Sequence, residues 1–452
     1  MNAIDHEGST VYVYLVAIVA AVSGLLFGFD TAVINGALPF LKVYFDLTDI
    51  QIEIAASSLL LGCVIGVSGA GPLSDGYGRK RVLLGAAGLF LLSAIGAAIP
   101  RHLHEFILAR FIGGLAIGVA SMMAPLYIAE IAPAHIRGQL VSLNQMAIVS
   151  GILCSYLIGW LLSGIGVSSW RWMFAIAGLP SLLFMVGIVF TPESPRWLVK
   201  QGQVAPARVI LSKVSGIQRA TIQLEEIREA IAQEEGSVVQ LFQPGLRRPM
   251  VIAMVMAVLQ QITGINTIIY YSSMILTRPA ASQTTSTAAD ALRANVIVGI
   301  TAFLSTVIAL WLIDKIGRKP LLLTASGGMG LSIFVLGAAF FQTAAPRTLI
   351  LAAIFSYVAF FSVGMGPGVW VLMSELFPTR VRGRAMAIAT VSLWIACLAV
   401  TLTFLSLMIV FTPGGAFWFY GVMCVLTFLF VWKALPETKG KTLEEIERWW
   451  RH

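Results

Sequence analysis

Charged residues and cysteines are scarce in this chain of 452 residues. Asp, Glu, Lys and Arg together make up only 12% of it, about half the share of an average soluble domain. The four cysteines all lie in apolar stretches without paired spacing, which excludes a disulfide framework and a cysteine-based metal site; they are Cys63, Cys154, Cys397 and Cys424. The five histidines are scattered. This composition does not predict a soluble or metal-dependent enzyme.

Motifs for nucleotide-driven or hydrolytic chemistry are also missing. The stretch Pro436-Glu-Thr-Lys-Gly-Lys-Thr ends like a phosphate-binding loop, but Leu435 stands where that motif needs glycine. A membrane helix, not a strand, is expected before it. No nucleophile-elbow sequence occurs. We therefore expect neither enzymatic activity nor a cofactor.

Long apolar runs dominate instead, since 58% of the residues are hydrophobic. A helix that spans a bilayer needs about 20 apolar residues. Twelve such windows occur, so the predicted fold class is an all-α membrane protein with twelve transmembrane helices. The first window is too long for a signal sequence and no Lys or Arg precedes it, so we expect it to be retained. The windows are 12–34, 52–72, 82–100, 105–130, 139–163, 171–191, 248–276, 292–313, 320–342, 348–375, 385–411 and 415–434.

Two short phrases occur once in each half of the chain. Asp75-Gly-Tyr-Gly-Arg-Lys returns as Asp314-Lys-Ile-Gly-Arg-Lys, 239 residues later. Glu130-Ile-Ala-Pro-Ala-His-Ile-Arg-Gly returns as Glu375-Leu-Phe-Pro-Thr-Arg-Val-Arg-Gly, 245 residues later. A repeat of half the chain predicts a duplicated bundle, as in many secondary transporters. We expect six-helix halves at 1–191 and 248–434.

The polar segment 192–247 separates the two halves. Its residues from Thr221 to Glu235 predict a helix with an apolar stripe of Ile222, Ile227 and Ile231. We expect a short intracellular helical domain there, and a cytoplasmic tail helix within 435–452 that begins with a capping box at Thr442.

Basic residues in short loops predict the orientation. The loops that contain Arg79, Arg137 and Arg318, together with the 192–247 segment and the tail, carry most of them. That side is therefore cytoplasmic, with both termini on it. The net charge of +8 is interpreted as orientation in a cytoplasmic (inner) membrane, not as nucleic-acid binding.

Acidic residues at loop ends are candidate gating elements. Glu130 and Glu375 each end a span, within reach of arginines from neighbouring loops. Such pairs can form and break as two halves rock. The alternative is that they only anchor the helix ends.

Two ionisable residues lie within predicted spans, Asp30 in the first and Arg110 in the fourth. Burying either one unpaired costs at least about 2.5–3.5 kcal/mol, so we expect them to pair. A buried carboxyl can also become neutral by binding a proton. Our hypothesis is that Asp30 is the proton-coupling carboxylate and that Arg110 sets its proton affinity. The alternative is a static pair that holds two helices.

Polar amides and tryptophans occur in several apolar helices. Amides donate and accept hydrogen bonds, which suits a polyhydroxylated neutral ligand. On an unbroken helix Gln261 and Asn266 would point about 140° apart, so a shared ligand requires a break, which is most favourable at Gly264. The alternatives are interhelical hydrogen bonds and interfacial tryptophans. The candidates are Gln145, Gln260, Gln261, Asn266, Trp370 and Trp394.

Together these motifs resemble the sugar porter family of the major facilitator superfamily, over essentially the whole chain. They are most similar to the bacterial proton-coupled members that carry pentoses and hexoses. The resemblance is carried by Gly24-Leu-Leu-Phe-Gly-Phe-Asp-Thr, Asp75-Gly-Tyr-Gly-Arg-Lys-Arg, Arg110-Phe-Ile-Gly-Gly, Pro125-Leu-Tyr-Ile-Ala-Glu, Pro192-Glu-Ser-Pro-Arg-Trp, Gln260-Gln, Gly264-Ile-Asn and Pro436-Glu-Thr-Lys-Gly.

The resemblance implies an alternating-access transporter with its sugar between the two halves. Asp30 and Arg110 match the proton-coupling pair of the symporters, whereas facilitative members have an amide in place of that Asp. Implied sugar contacts are Phe27, Gln145, Gln260, Gln261, Asn266 and Trp370, with Trp394 lining the cavity. The gating candidates are Tyr270, Tyr271, Glu130, Arg137, Glu193, Arg196, Glu375 and Arg382.

Two positions depart from the family pattern. Ala302 stands where many members have Asn, and Leu393 where many have Gln or Asn. We therefore predict a less polar pocket on the C-terminal side. The predicted function is proton-driven uptake of a monosaccharide by a monomer in the lipid bilayer. The alternatives are a facilitator of the same fold, a polyol or inositol symporter, and a sugar receptor that does not transport.

Overall fold

The computed structural model describes residues 8–133, 135–232, 238–243, 245–277, 288–342, 345–377 and 379–439, and every regular element within these ranges is helical. Two 3₁₀ turns (Ser163–Ile165 and Val238–Phe242) and one π-helical turn (Phe361–Met365) accompany the α-helices. These are α1 (Thr10–Phe45), α2 (Asp49–Tyr77), α3 (Arg79–Ala98), α4 (Leu103–Ile131), α5 (Arg137–Leu162), α6 (Ser169–Ala175), α7 (Gly178–Phe190), α8 (Pro195–Lys200), α9 (Val204–Ser215), α10 (Ile217–Ala232), α11 (Arg247–Ile262), α12 (Ile265–Leu276), α13 (Ala288–Ile316), α14 (Arg318–Phe341), α15 (Arg347–Phe360), α16 (Gly366–Glu375), α17 (Thr379–Val410) and α18 (Thr412–Ala434).

Twelve spans in the described part of the chain are long and apolar enough to cross a bilayer. Six precede the insert formed by α8–α10, with α6 and α7 forming one span. Six follow it, with α11–α12 and α15–α16 each forming one span. The predicted all-α fold of two six-helix halves is therefore confirmed.

The two halves are packed in the same way and meet along two seams. In the first half α1 packs on α5 and α3 on α7, and in the second half the equivalent helices α11 and α14 pack on α17 and α18. Glycine allows the closest approach: a Cβ on Gly28 would clash with the Ile148 carbonyl of α5. The halves meet where α2 packs on α17 and α5 on α13, and α1 also contacts α12.

Two spans of the second half are interrupted. Thr263 and Gly264 separate α11 from α12, and Gly264 has φ +96°, a left-handed conformation that glycine adopts without strain. A Cβ there would also lie 2.8 Å from the Tyr420 ring. The break predicted at Gly264 is confirmed. The α15–α16 span is interrupted by its π-helical turn, a type of irregularity that is frequent at functional sites.

The insert between the halves contains its own small apolar core. Trp197 and Leu198 of α8 pack with Leu211 of α9 and Leu224 of α10. The insert is also bonded to the start of α1, because the Ser9 N–H donates to the Lys213 carbonyl at 2.9 Å. Its placement on the cytoplasmic side stays a prediction.

The predicted apolar stripe of α10 is wrong at Ile222, whose side chain is 62% exposed. The buried face is set by Ala220 and Leu224, four residues apart and so on one side of a helix, and Ile227 lies partly buried beside them. Ile222 is two residues from each of these buried positions and points away from them. The tail helix predicted from Thr442 lies outside the described residues.

Candidate functional site

Asp30 of α1 and Arg110 of α4 form a buried ion pair. Asp30 is 3% exposed and Arg110 is fully buried. Arg110 Nη1 lies 3.2 Å from Asp30 Oδ1, and Nη2 donates to the Asp30 backbone carbonyl at 2.8 Å. The Phe174 ring lies under the guanidinium, 5.2 Å from Cζ to the ring centroid. The structure thus brings together the two ionisable residues that sequence reasoning paired, while their role in proton coupling stays a prediction.

The helices around Asp30 are packed so closely that position 113 has no room for a side chain. A Cβ on Gly113 would clash with the Ser93 hydroxyl and lie 3.5 Å from Asp30 Oδ2. Arg110 is the one cation in ion-pair distance of Asp30 among the described residues. A proton on Asp30 would remove the negative charge of the pair and weaken its hold on Arg110. The site can therefore exist in two charge states with different attraction between α1 and α4.

A chain of amides joins α11, α12, α16 and α17. Gln260 Nε2 donates to the Met365 and Gly366 carbonyls at 2.8 and 3.1 Å, where the π-helical turn meets α16. Gln261 Nε2 donates to Gln260 Oε1 at 3.1 Å. The chain continues because Asn266 Nδ2 donates to Gln261 Oε1 and, at 3.0 Å, to Cys397 Sγ. Three of the predicted sugar contacts are therefore in mutual contact across the Gly264 break.

Aromatic residues connect the two halves near this amide chain. The rings of Phe27 on α1 and Trp394 on α17 lie 5.5 Å apart between centroids, with an interplanar angle of 50°. Trp394 is 3% exposed, and its indole N–H has no hydrogen-bond partner among the described residues. Gln145 and Trp370 are half-buried on α5 and α16. The described hydrogen bonds do not connect these last two residues to the amide chain.

The two candidate gating tyrosines are fully buried on α12. The Tyr271 hydroxyl donates to the Thr401 carbonyl of α17 at 2.8 Å, and its ring stacks on Phe404 at 5.3 Å. Tyr270 adjoins it in the same helix. Both positions are compatible with a gate in α12, and gating stays a prediction.

At the ends of the helices near the insert, the acidic gating candidates bind arginines of the first repeated phrase. Arg79 Nε and Nη2 donate to Glu130 at 3.0 and 3.2 Å. In the second half Arg318 Nη2 donates to Glu375 at 2.7 Å. Each pair holds two helices of one half, α3 with α4 and α14 with α16.

The arginines of the second repeated phrase have other partners. Arg137 Nη2 donates to the Ala132 carbonyl at 3.4 Å, and Arg382 Nε to the Phe377 carbonyl at 3.3 Å. Each of them therefore bonds the chain five residues before it instead of a glutamate. Arg196 is half-buried in α8.

Glu193 caps α3, and sequence reasoning missed the equivalent residue of the second half. The Glu193 carboxylate accepts from the Arg79 N–H at 2.9 Å and from the Lys80 N–H at 3.2 Å. Glu437 accepts from the Arg318 and Lys319 N–H groups at 3.0 Å each. A third repeated phrase could have identified Glu437, because Pro192-Glu-Ser returns as Pro436-Glu-Thr 244 residues later.

Because the two caps are equivalent, we predict that Glu193→Gln and Glu437→Gln have similar effects. Each substitution removes a negative charge from a helix N-terminus, which costs about 1 kcal/mol. We expect transport to fall several-fold in both variants and protein folding to be retained. Initial uptake rates at equal amounts of purified protein measure this. A strong effect of one substitution and none of the other would contradict the equivalence.

Sequence reasoning also missed the bonds between the halves. They lie at the helix ends away from the insert, here called the outer side. Asn35 of α1 bonds Ser272 and Ser273 of α12 and Asn295 of α13. Glu53 of α2 accepts from the Ser406 N–H and hydroxyl of α17 at 2.8 and 2.7 Å. Within the described residues, all side-chain hydrogen bonds between the two halves are on this side, so the structure is closed there.

Comparison with known proteins gives concordant matches over the full length. The family model described as "Sugar (and other) transporter" matches residues 16–450. The D-xylose-proton symporter of Escherichia coli K12 is 39% identical over 97% of this chain and 96% of its own length. The arabinose-proton symporter of Bacillus subtilis is 39% identical over 99% and 97%. The solved structure of the major facilitator superfamily proton:xylose symporter XylE bound to 6-bromo-6-deoxy-D-glucose has a TM-score of 0.84 and 38% identity, over 98% of this chain and 99% of that one.

Proposed function

Because this chain belongs to the sugar transporter family of the major facilitator superfamily, we propose that it imports a monosaccharide together with a proton by alternating access. One observation carries the proton-coupled part of the proposal: Asp30, which pairs with Arg110 of α4, is buried on α1, the helix that also supplies Phe27 to the contact between the halves. Phe27 and Asp30 are three residues apart and therefore neighbours on one face of α1. A charge change at Asp30 occurs beside the proposed sugar cavity.

The proton supplies the driving force for accumulation. One proton that enters down a membrane potential of 100 mV contributes about 2.3 kcal/mol, which corresponds to a sugar concentration ratio of about 50. In this cycle Asp30 binds a proton when the outer side is open and releases it when the opposite side is open. Release restores the carboxylate and with it the attraction of Arg110.

The sugar is bound by the amide chain and the aromatic pair. Gln261 and Asn266 are bonded to each other, so the hydroxyls of a bound sugar would replace this bond between amides. The Trp394 N–H, which has no partner in the described part of the chain, adds a donor, and the indole face suits the C–H face of a sugar. Ala302 and Leu393 are buried apolar residues, which favours a sugar with few hydroxyls to satisfy on that side. We propose a pentose or hexose as the substrate.

The proposal includes the cytoplasmic membrane, with both termini on the cytoplasmic side, and a monomer as the working unit. The basic loops support this orientation. The ion pair, the amide chain and the aromatic pair are all built from one chain, so a site between the halves needs no second copy.

Sugar-driven proton movement tests the proposal. We expect addition of the transported sugar to proteoliposomes to alkalinise the medium as protons enter with it. A panel of unlabelled xylose, arabinose, glucose and inositol, competing against labelled xylose, identifies the substrate class. An enantiomer of the best competitor serves as a control and should move no protons. Uptake without proton movement would establish a facilitator, and saturable binding without counterflow would establish a receptor.

A further inference from the structure

Asn35 lies at the centre of a buried polar cluster that joins the helix of Asp30 to the helix of Asn266. We propose that Asn35 is a positioning residue that couples the proton site to the sugar site. It acts through α12 and touches neither the proton-binding carboxyl nor the amide chain. This inference rests on the proposed function.

The Asn35 side chain uses its full hydrogen-bonding capacity within the cluster. Its Nδ2 donates to the Ile269 carbonyl at 2.7 Å and to Ser272 Oγ at 2.6 Å. Its Oδ1 accepts from the Ser273 N–H at 3.1 Å and from Asn295 Nδ2 at 2.9 Å. A primary amide has two N–H donors and two acceptor positions, and all four are occupied here. Asn35 is fully buried, so no water competes for these bonds.

The cluster holds the backbone of α12 as well as its side chains. Ile269 and Ser273 are four residues apart, so the carbonyl of one and the N–H of the other face each other in a regular helix. The Asn35 amide bonds both of these groups. In addition, Ser273 Oγ donates to the Asn35 backbone carbonyl at 2.6 Å. Segment α12 therefore cannot leave α1 on the outer side without losing several bonds at once.

The position of the cluster makes it a connection between the two proposed sites. Asp30 precedes Asn35 by five residues on the continuous helix α1. Asn266 stands at the start of α12, which is only 12 residues long and begins directly after the left-handed Gly264. A break of this kind is a hinge about which a short helical segment can turn as one unit. A shift of α1 relative to Arg110 would thus be passed through Asn35 to the segment that carries Asn266.

A polar contact between the halves that lies outside this cluster provides the comparison. Ser406 and Glu53 also close the outer side, but they join α2 to α17 and bypass α1 and α12. A role in closure alone predicts that Asn35 and Ser406 variants behave alike. A role in coupling predicts that only the Asn35 variant separates sugar movement from proton movement.

The test compares Asn35→Leu with two matched controls in proteoliposomes. Leucine has a similar size but makes no hydrogen bond. Ser406→Ala removes a bond between the halves outside the cluster. Ser23→Ala removes a buried hydroxyl of α1 that bonds only its own helix, at the Ala20 carbonyl. The readouts are counterflow of labelled sugar, accumulation under an imposed proton gradient, and protons moved per sugar.

We expect Asn35→Leu to keep counterflow and to accumulate less sugar than the wild type. Couplings between sites typically amount to about 5–150-fold, so accumulation should fall at least about fivefold, with fewer protons moved per sugar. Both controls should keep the wild-type proton-to-sugar ratio. If Asn35→Leu does not fold, Ser272→Ala, which removes bonds to Asn35 and Asn295, should give a smaller decrease of the same kind.

The possible failures are distinguishable. A wild-type protein that does not accumulate sugar overturns the proposed function and this inference with it. Wild-type accumulation together with an unchanged proton-to-sugar ratio in Asn35→Leu overturns only the coupling role. A proportional loss of counterflow and accumulation also overturns it, since a merely structural residue would give that result.

Discussion

Asp30→Asn is expected to abolish accumulation of sugar while exchange of sugar across the membrane continues. The amide has nearly the same shape and can still accept a hydrogen bond from Arg110, which in the native protein lies 3.2 Å from Asp30 Oδ1. It cannot bind and release a proton, so the membrane potential no longer drives sugar inward. At 100 mV the lost driving force is about 2.3 kcal/mol, and the accumulation ratio should fall from about 50 to 1.

Proteoliposomes with an imposed potential measure this effect, and counterflow of labelled sugar measures exchange. Asp49→Asn is the matched control, because Asp49 makes an exposed ion pair with Lys42 at 3.4 Å and lies outside the proposed sites. The control should accumulate sugar like the wild type. Wild-type accumulation by Asp30→Asn would show that this carboxyl does not couple transport to protons and that its pair with Arg110 only holds α1 to α4.

The spans were predictable from the sequence because the bilayer imposes a length on each of them. The ends were less predictable. The first apolar window stops at residue 34, whereas α1 continues to Phe45. Ala37, Leu38 and Leu41 are fully buried in that extension, so packing against other helices stabilises α1 beyond its apolar window.

The Asp30–Arg110 contact was predictable because charges are rare in apolar helices and each one needs a partner. The break at Gly264 was predictable because two amides had to share one side of a span. Both inferences use constraints that leave few alternatives. Neither requires knowledge of how distant helices are rotated against each other.

The polar contacts between the halves could not be predicted, because the sequence leaves many alternatives for them. Asn35 and Asn295 are 260 residues apart, and an asparagine in an apolar helix has many potential partners. The bond from Gln260 to the Met365 carbonyl depends on a π-helical turn that the sequence does not indicate. Helix rotation and local backbone irregularity decide these contacts, and both follow from packing of the whole bundle.

Substitutions in the amide chain are expected to weaken sugar binding in a non-additive way. Gln261→Ala and Asn266→Ala should each weaken sugar binding by about 10- to 100-fold, since each removes a hydrogen-bonding group from a buried site. Because Asn266 Nδ2 donates to Gln261 Oε1, either substitution also leaves the other amide without its partner. The double variant should therefore lose less affinity than the product of the two single losses.

Gln145 provides the control for this double-mutant comparison, because it belongs to the other half and no described hydrogen bond joins it to the amide chain. Gln145→Ala combined with Gln261→Ala should weaken binding by the product of the single losses. Competition by unlabelled sugar in counterflow measures all the affinities at equal amounts of protein. Multiplicative losses for Gln261 and Asn266 would show that the two amides bind sugar independently. The less-than-multiplicative loss that we expect would show that the break at Gly264 builds one binding unit from two helices.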